Sequence, residues 1–204
     1  MPLAWKRCGD CLTMPLTLQY VTRLMGWVLM GKRNVSARTQ STTASSMTKR
    51  IGINYPPPEY FTELQRVSKN QIIWGANYFV KYLSKGTKGW ICWFKGQTGL
   101  TMSDCELAYS SFDCPTRVVT INRCELAKQQ TIHPTEKPIK LYGWLLMNYA
   151  KPGDRILDTH LGSGSICIAA HDLGFEKLGI ELDPGYFNAA KQRLLYHQAQ
   201  LKLF

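Results

Sequence analysis

Acidic residues are scarce in this chain and missing altogether from one long stretch. Across 204 residues 14 Asp and Glu stand against 25 Lys and Arg, and between Asp10 and Glu59 there is no acid at all. The resulting net charge of +11 suits a polyanionic partner such as nucleic acid. Its distribution weakens that inference. Arg23, Lys32, Arg33, Arg38, Lys49 and Arg50 all lie in the acid-free stretch, so the remainder of the chain is only moderately basic. Long apolar runs are also lacking: Leu16 to Met30 is broken by Gln19, Thr22 and Arg23, so no membrane span is expected. The amino terminus carries no clear secretory pattern. Of seven scattered cysteines only Cys8 and Cys11 form a C-x-x-C, with no second pair near them. A zinc or redox centre is therefore not expected, and reduced thiols in the cytoplasm are the simpler reading.

What is present is centred on Asp154-Arg-Ile-Leu-Asp-Thr-His-Leu-Gly-Ser-Gly-Ser-Ile-Cys-Ile-Ala-Ala-His171. Arg155 to Asp158 reads as a short buried strand, Leu161 to Ser165 as a glycine-bearing turn, and Ile166 to Leu173 as a helix opening from it. Gly162 and Gly164 would let the backbone approach a ligand with no Cβ between, while the helix offers its first N–H groups. Gly179 to Leu182 reads as a second parallel strand ending in an acid, Glu181, 23 residues after Asp158. A carboxylate there can accept from both hydroxyls of a ribose. An ordinary tight strand-to-helix loop is the plain alternative.

Three segments together carry a more specific signal. Asp158-Thr-His-Leu-Gly-Ser-Gly-Ser165, the upstream His133-Pro-Thr-Glu-Lys-Pro138 and Gly179-Ile-Glu-Leu-Asp-Pro-Gly-Tyr-Phe187 resemble the S-adenosylmethionine-dependent DNA amino-methyltransferases, which modify adenine N6 or cytosine N4. The motif order is the permuted one, with the cofactor motif near the carboxyl end. The resemblance covers about Glu59 to Leu195 and a fragment at Gly9 to Leu12. It implies an α/β Rossmann-like domain over residues 1–204, a doubly wound and mostly parallel sheet with helices on both faces, and a cofactor half at residues 133–195. It also implies S-adenosylmethionine as cofactor and double-stranded DNA as partner. The implied cofactor residues are Asp158, Leu161, Gly162, Ser163, Gly164, Ser165 and Glu181, with Thr135 and Lys137 near the methionine carboxylate and Asp10 near the adenine.

The resemblance fails at one place. The family's catalytic signature, Asp-Pro-Pro-Tyr or a close variant, should follow Gly9-Asp-Cys-Leu12, and it is absent. In its place, around Val21 to Gly26, stands Leu18-Gln-Tyr-Val-Thr-Arg-Leu-Met-Gly-Trp-Val-Leu-Met-Gly31, with neither a helical nor a strand period. Lys32 to Arg50 then turns basic and rich in Ser and Thr, a composition that reads as disordered. Codon arithmetic offers a sharper account. If the third base of each codon is read with the first two of the next, Met25-Gly26, Trp27-Val28 and Met30-Gly31 must each give Gly. Allowed codons for Val21 to Leu24 then give Asp-Pro-Pro-Tyr directly before the first of these. The expectation is that roughly Met14 to Lys49 is out of frame, and that residues 14–50 form an aberrant, disordered segment. The coding nucleotide sequence tests this, since codons incompatible with the shifted peptide exclude it.

From Pro56 the family pattern resumes. Pro56 to Arg66 reads as a proline-led helix with Tyr60, Phe61 and Leu64 at core spacing. Gln71 to Phe79, Gly89 to Lys95 and Glu106 to Phe112 read as strands. By resemblance Asn77 and Tyr78 could line a base pocket, with Tyr78 in the core as the preferred alternative. Cys114 to Gln130 has few regular signals and carries Arg117, Arg123 and Lys128, so it reads as a DNA-facing loop or a solvated connection. Ile139 to Tyr149 and Tyr186 to Leu203 read as helices, with His197 at the surface rather than serving as a ligand.

An exocyclic base amine is a poor nucleophile because its lone pair is delocalised into the ring. It needs acceptors that draw on its hydrogens and hold the nitrogen in line with the methyl group. In the family the missing signature supplies them, so the chain as written is expected to be impaired. The alternatives are a non-catalytic remnant that still binds cofactor, and a small NAD-type oxidoreductase, in which His133 to Pro138 would have no role.

Overall fold

A computed structural model describes residues 6–8, 24–28, 56–83, 86–101, 103–122, 131–133 and 135–200. In chain order the described elements are strands β1 (Lys6–Cys8) and β2 (Leu24–Val28), helix α1 (Pro58–Val67), and strands β3 (Asn70–Trp74), β4 (Ile91–Phe94), β5 (Cys105–Ser110) and β6 (Arg117–Thr120). Helix α2 (Ile139–Tyr149), strand β7 (Arg155–Asp158), helix α3 (Ser165–Asp172), strand β8 (Glu176–Glu181) and helix α4 (Pro184–Ala199) complete it.

The eight strands form one sheet in the order β1-β8-β7-β2-β3-β5-β4-β6. The centre β8-β7-β2-β3 is parallel throughout, β1 is an antiparallel edge, and β5 runs antiparallel to both β3 and β4. Strand alternation builds two cores from one sheet. Ile72 and Trp74 of β3 join Leu141 and Leu145 of α2, Ile166 and Ile168 of α3, and Ala190 and Leu194 of α4. Ile73 between them joins Phe61 and Leu64 of α1 instead. The expected doubly wound α/β arrangement is therefore present, with a mixed half beyond β3.

Several local expectations change. The strand expected over Gln71 to Phe79 stops at Trp74 because Gly75 takes a left-handed conformation (φ 70°), and a 3-10 turn over Ala76–Tyr78 follows. Tyr78 is 56% exposed, which corrects its assignment to the core. Part of the expected loop after Cys114 is a strand: β6 pairs in parallel with β4, and Val119 alone of its residues is buried. The largest departure is β2. Its residues fall inside the segment expected to be disordered, yet Leu24–Val28 is the central strand, in parallel register with Arg155 to Asp158 on one side and Asn70 to Ile73 on the other. The reason is the backbone: β7 and β3 each present a row of N–H and C=O groups that only a strand between them can satisfy. The rest of residues 14–50 lies outside the described residues, as do Asp10, Arg123 and Lys128.

Candidate functional site

The strands β3, β2, β7 and β8 run parallel, so the turns that follow them leave the same edge of the sheet. The turn after β7 is built much as its sequence implies. Leu161 N–H donates to the Ile180 carbonyl (2.9 Å), tying the turn to β8, and Gly164 N–H closes it on the Leu161 carbonyl (3.0 Å). Gly162 and Gly164 both have positive φ, 51° and 71°, where a side chain is strained. The space in front of them differs from the expectation. A Cβ on Gly162 would lie 3.3 Å from the His133 ring, and one on Gly164 3.0 Å from the Ala190 Cβ. Gly164 therefore serves the packing of α4 on the turn, and Gly162 lets the His133 ring lie against it.

Glu181, at the end of β8, folds back over the turn. Its Oε2 accepts from Gly162 N–H (2.8 Å), and its Oε1 from Leu182 N–H (2.9 Å) and Asp183 N–H (3.1 Å). A carboxylate offers about four acceptor positions. Three are occupied, so two ribose hydroxyls fit only if one of these bonds gives way. Asp183 then caps α4 through Gly185 and Tyr186 N–H, the role its place before Pro184 signals.

Asp158 is 1% exposed. Its Oδ1 accepts from His160 N–H (2.9 Å), while its Oδ2 is buried with no partner. Burial pushes the carboxyl up to about 7 despite that bond and the nearby Lys137 ammonium, and the Glu181 carboxylate adds to the rise. Thr159 joins Tyr60 of α1 through their hydroxyls (2.7 Å) and lies 3.1 Å from His160 Nδ1. Burial also lowers the His160 and His133 imidazoles, which favours neutral rings.

His133 to Pro138 packs beside this turn. Thr135 Oγ1 meets His133 Nδ1 at 2.9 Å. Lys137 departs from the expectation of a side chain reaching towards a ligand carboxylate. It is 4% exposed, its Nζ pairs with Glu106 Oε2 (3.1 Å) and lies over the Trp74 ring, 5.3 Å from its centre. The other oxygen of Glu106 takes Lys95 Nζ at 3.0 Å. Burial alone would raise the Glu106 carboxyl, but the two ammoniums outweigh it and hold the group down to about 2.

Arg193 belongs to no motif in the sequence. From α4 its Nη1 pairs with the buried Glu136 (2.7 Å) and donates to the Ser163 carbonyl and to Ser165 Oγ, both at 3.1 Å. Glu136 Oε2 also accepts from Ile132 N–H (3.1 Å). One guanidinium thus ties the His133 to Pro138 segment to the Ser163 to Ser165 turn, where Ser163 and Ser165 also share a hydroxyl contact of 3.0 Å. Asn77 and Tyr78 lie on the exposed turn after β3, at the same sheet edge. Among the described residues no cluster of three or more His, Cys, Asp or Glu could hold a metal, and no helix is long and apolar enough to cross a membrane.

The family model for DNA methylases of the N6/N4 type matches residues 34–192. The match takes in every motif from Pro56 to Phe187 and leaves out Val21 to Gly26. A putative methylase, YubD, of Escherichia coli (strain K12) is 44% identical over 62 residues, 30% of this chain and 27% of that protein. The type II methyltransferase M.HpaI of Haemophilus parainfluenzae is 34% identical over 67 residues, 33% of this chain and 21% of that protein. The aligned stretches thus span about a quarter of these curated relatives. The crystal structure of an M1.HpyAVI–SAM complex superposes with a TM-score of 0.60 at 18% identity, covering 84% of this chain and 88% of that one, a likeness of fold. Turn, sheet order and family match agree: the chain belongs to the N6/N4 DNA methylase family, whose cofactor is S-adenosylmethionine.

Proposed function

We propose that the edge of the sheet formed by the turn after β7, Glu181 and the His133 to Pro138 segment binds S-adenosylmethionine, and that the domain is built to methylate an exocyclic amine of a base in double-stranded DNA. The observation that carries the reading is the unpaired Oδ2 of Asp158, buried beside that turn. The reacting half of the cofactor carries a sulfonium and an ammonium, and a buried carboxylate without a partner is stabilised by a cation. Glu181 keeps an acceptor position for a ribose hydroxyl, and Leu161, Gly162, Ser163, Gly164 and Ser165 shape the wall. Thr135 and Lys137 contribute at the methionine end, Lys137 through its charge rather than as a free side chain. Asp10 stays a proposed neighbour of the adenine, from the resemblance alone.

The cofactor supplies an activated methyl group and its own leaving group, so no metal or covalent nucleophile is needed. This chain must hold the target amine in line with that methyl and accept its hydrogens. Asn77 and Tyr78 are the described residues at this edge that could meet a flipped base. No Asp-Pro-Pro-Tyr stands in the sequence to accept from the amine. We therefore propose low or no turnover for the chain as written, with adenine N6 as the target in preference to cytosine N4, and a cytoplasmic setting in restriction–modification or in a phage. A cofactor-binding remnant without activity is the second reading, favoured by that missing motif. The test pairs calorimetric titration of S-adenosylmethionine with labelled-methyl transfer to duplex DNA. Binding without transfer is the expected result, no binding overturns the cofactor site, and brisk transfer overturns the claim of impairment.

A further inference from the structure

Resting on the cofactor reading above, we propose that Lys95 is a positioning residue for the cofactor site, acting through Glu106 and Lys137 on Asp158. Lys95 follows β4, four strands away from β7 in the sheet, and nothing in the sequence links it to the turn after β7. The structure does. Lys95 Nζ lies 3.0 Å from one oxygen of Glu106, and Lys137 Nζ lies 3.1 Å from the other. The lysine side chains are 8% and 4% exposed and Glu106 19%, and the ammoniums sit over the Trp93 and Trp74 rings at 5.7 and 5.3 Å. Lys137 lies in the segment that packs on the turn after β7, through the His133 ring against Gly162 and the Glu136–Arg193–Ser163 link, and its ammonium favours the ionised form of Asp158. The result is a row of plus, minus and plus across the carboxyl edge of the sheet, leading to the Asp158 carboxyl.

The arithmetic of the row gives Lys95 its function. Two buried ammoniums share one carboxylate, so the trio carries a surplus positive charge, which is unfavourable in a dry site unless an anion compensates it. Asp158, once it has lost its proton, is the anion that can compensate it. The other groups that bear on it are Glu181 from β8, Tyr142 from α2, Tyr60 from α1 and the His160 N–H of its own turn. Glu181 opposes ionisation of Asp158, while the His160 N–H and Lys137 favour it. Without Lys95, Glu106 would neutralise Lys137 alone, the surplus would vanish, and Asp158 would hold its proton to higher pH. A protonated Asp158 offers a cationic ligand no ion pair.

The test compares wild type, Lys95→Met and Lys95→Arg by calorimetric titration between pH 6 and 8.5. The ligands are S-adenosylmethionine and 5′-methylthioadenosine, which lacks both the sulfonium and the ammonium. Lys95→Met should weaken S-adenosylmethionine roughly 5- to 10-fold near pH 7, with the ratio to wild type shrinking towards one by pH 8.5. Methylthioadenosine affinity should not change, and Lys95→Arg should restore wild-type binding. Equal losses for both ligands at every pH would show a merely structural role and overturn the proposal, as would no loss at all. Wild type that binds methylthioadenosine but gains nothing from the cationic ligand would remove the role assigned to Asp158, and binding of neither ligand would remove the cofactor site itself.

Discussion

At Asp158 stability and the proposed cofactor role pull in opposite directions. Its carboxyl stands at about 7 in the fold and at an ordinary 3.8 in the unfolded chain. Below pH 4 both states hold the proton. Between about 4 and 7 the fold keeps a proton that the unfolded chain has lost, so stability declines as pH rises through that window. Asp158→Asn should remove the decline and stabilise the ligand-free protein at pH 8 by up to roughly 4 kcal/mol, while weakening S-adenosylmethionine. Urea denaturation of both proteins at pH 4.5 and pH 8 checks this, and equal slopes would refute it. Glu106 behaves oppositely: its carboxyl is held at about 2 against 4.5, so its contribution is present above 4.5 and lost as pH falls towards 2. At Gly162 the demand is steric. With φ at 51° and the His133 ring against the missing Cβ, Gly162→Asp should strain the turn, displace His133 and set a second negative charge beside Glu181. S-adenosylmethionine affinity in that variant should fall by at least tenfold on titration, and unchanged affinity would refute the proposed pocket.

At the scale of elements, the joint between α4 and the turn after β7 depends on one side chain. Removing Arg193 would leave the Glu136 side chain, 2% exposed, without its cation, and the Ser163 carbonyl without a donor. Breaking a buried pair from one side costs about 3–5 kcal/mol. Arg193→Met should therefore lower the melting temperature by several degrees and loosen cofactor binding. Adding Glu136→Gln should recover part of the stability, because the stranded charge is gone, but not the hold on Ser163. A thermal melt and a titration of the single and double variants separate the two effects.

The same elements show what the sequence could reveal. Arg155 to Asp158, the glycine turn and α3 were legible because strand, turn and helix follow each other with the right local chemistry. The helix from Ile139 was legible for the same reason. What escaped depends on distant partners. Arg193 looks like any polar residue on a helix until Ser163 lies under it, and Lys137 looks solvated until Glu106 and Trp74 enclose it. Strand β6 has only Val119 buried, too little for a pattern. Strand β2 was hidden most thoroughly, since its neighbours β7 and β3 rather than its own residues define its place.

For the whole molecule, β2 restates the question of activity. The centre of the sheet is filled by Leu24–Val28, but filling a strand position asks only for backbone, whereas catalysis asks for particular groups after it. Losing one positioning or electrostatic contact at the reacting atom costs roughly 10²- to 10³-fold in rate. Restoring the shifted reading between about Met14 and Lys49 should therefore raise labelled-methyl transfer to duplex DNA by at least that factor while S-adenosylmethionine affinity stays similar. Equal turnover at equal concentration would show that another loop supplies the acceptors.

Strand β1 has a consequence for the order in which the molecule is made. Lys6–Cys8 pairs with Gly179 to Glu181, so during synthesis this strand waits for a partner that is made after every other described strand. At synthesis speeds of about 5–20 residues per second that wait is on the order of ten seconds. Throughout it the nascent chain carries that strand unpaired and, until Arg193 emerges, the turn after β7 without its brace. Pairings so distant in sequence also slow refolding. A ribosome-stalled series of lengthening chains should therefore resist protease abruptly, only after α4 has cleared the exit tunnel, rather than in steps as each strand appears.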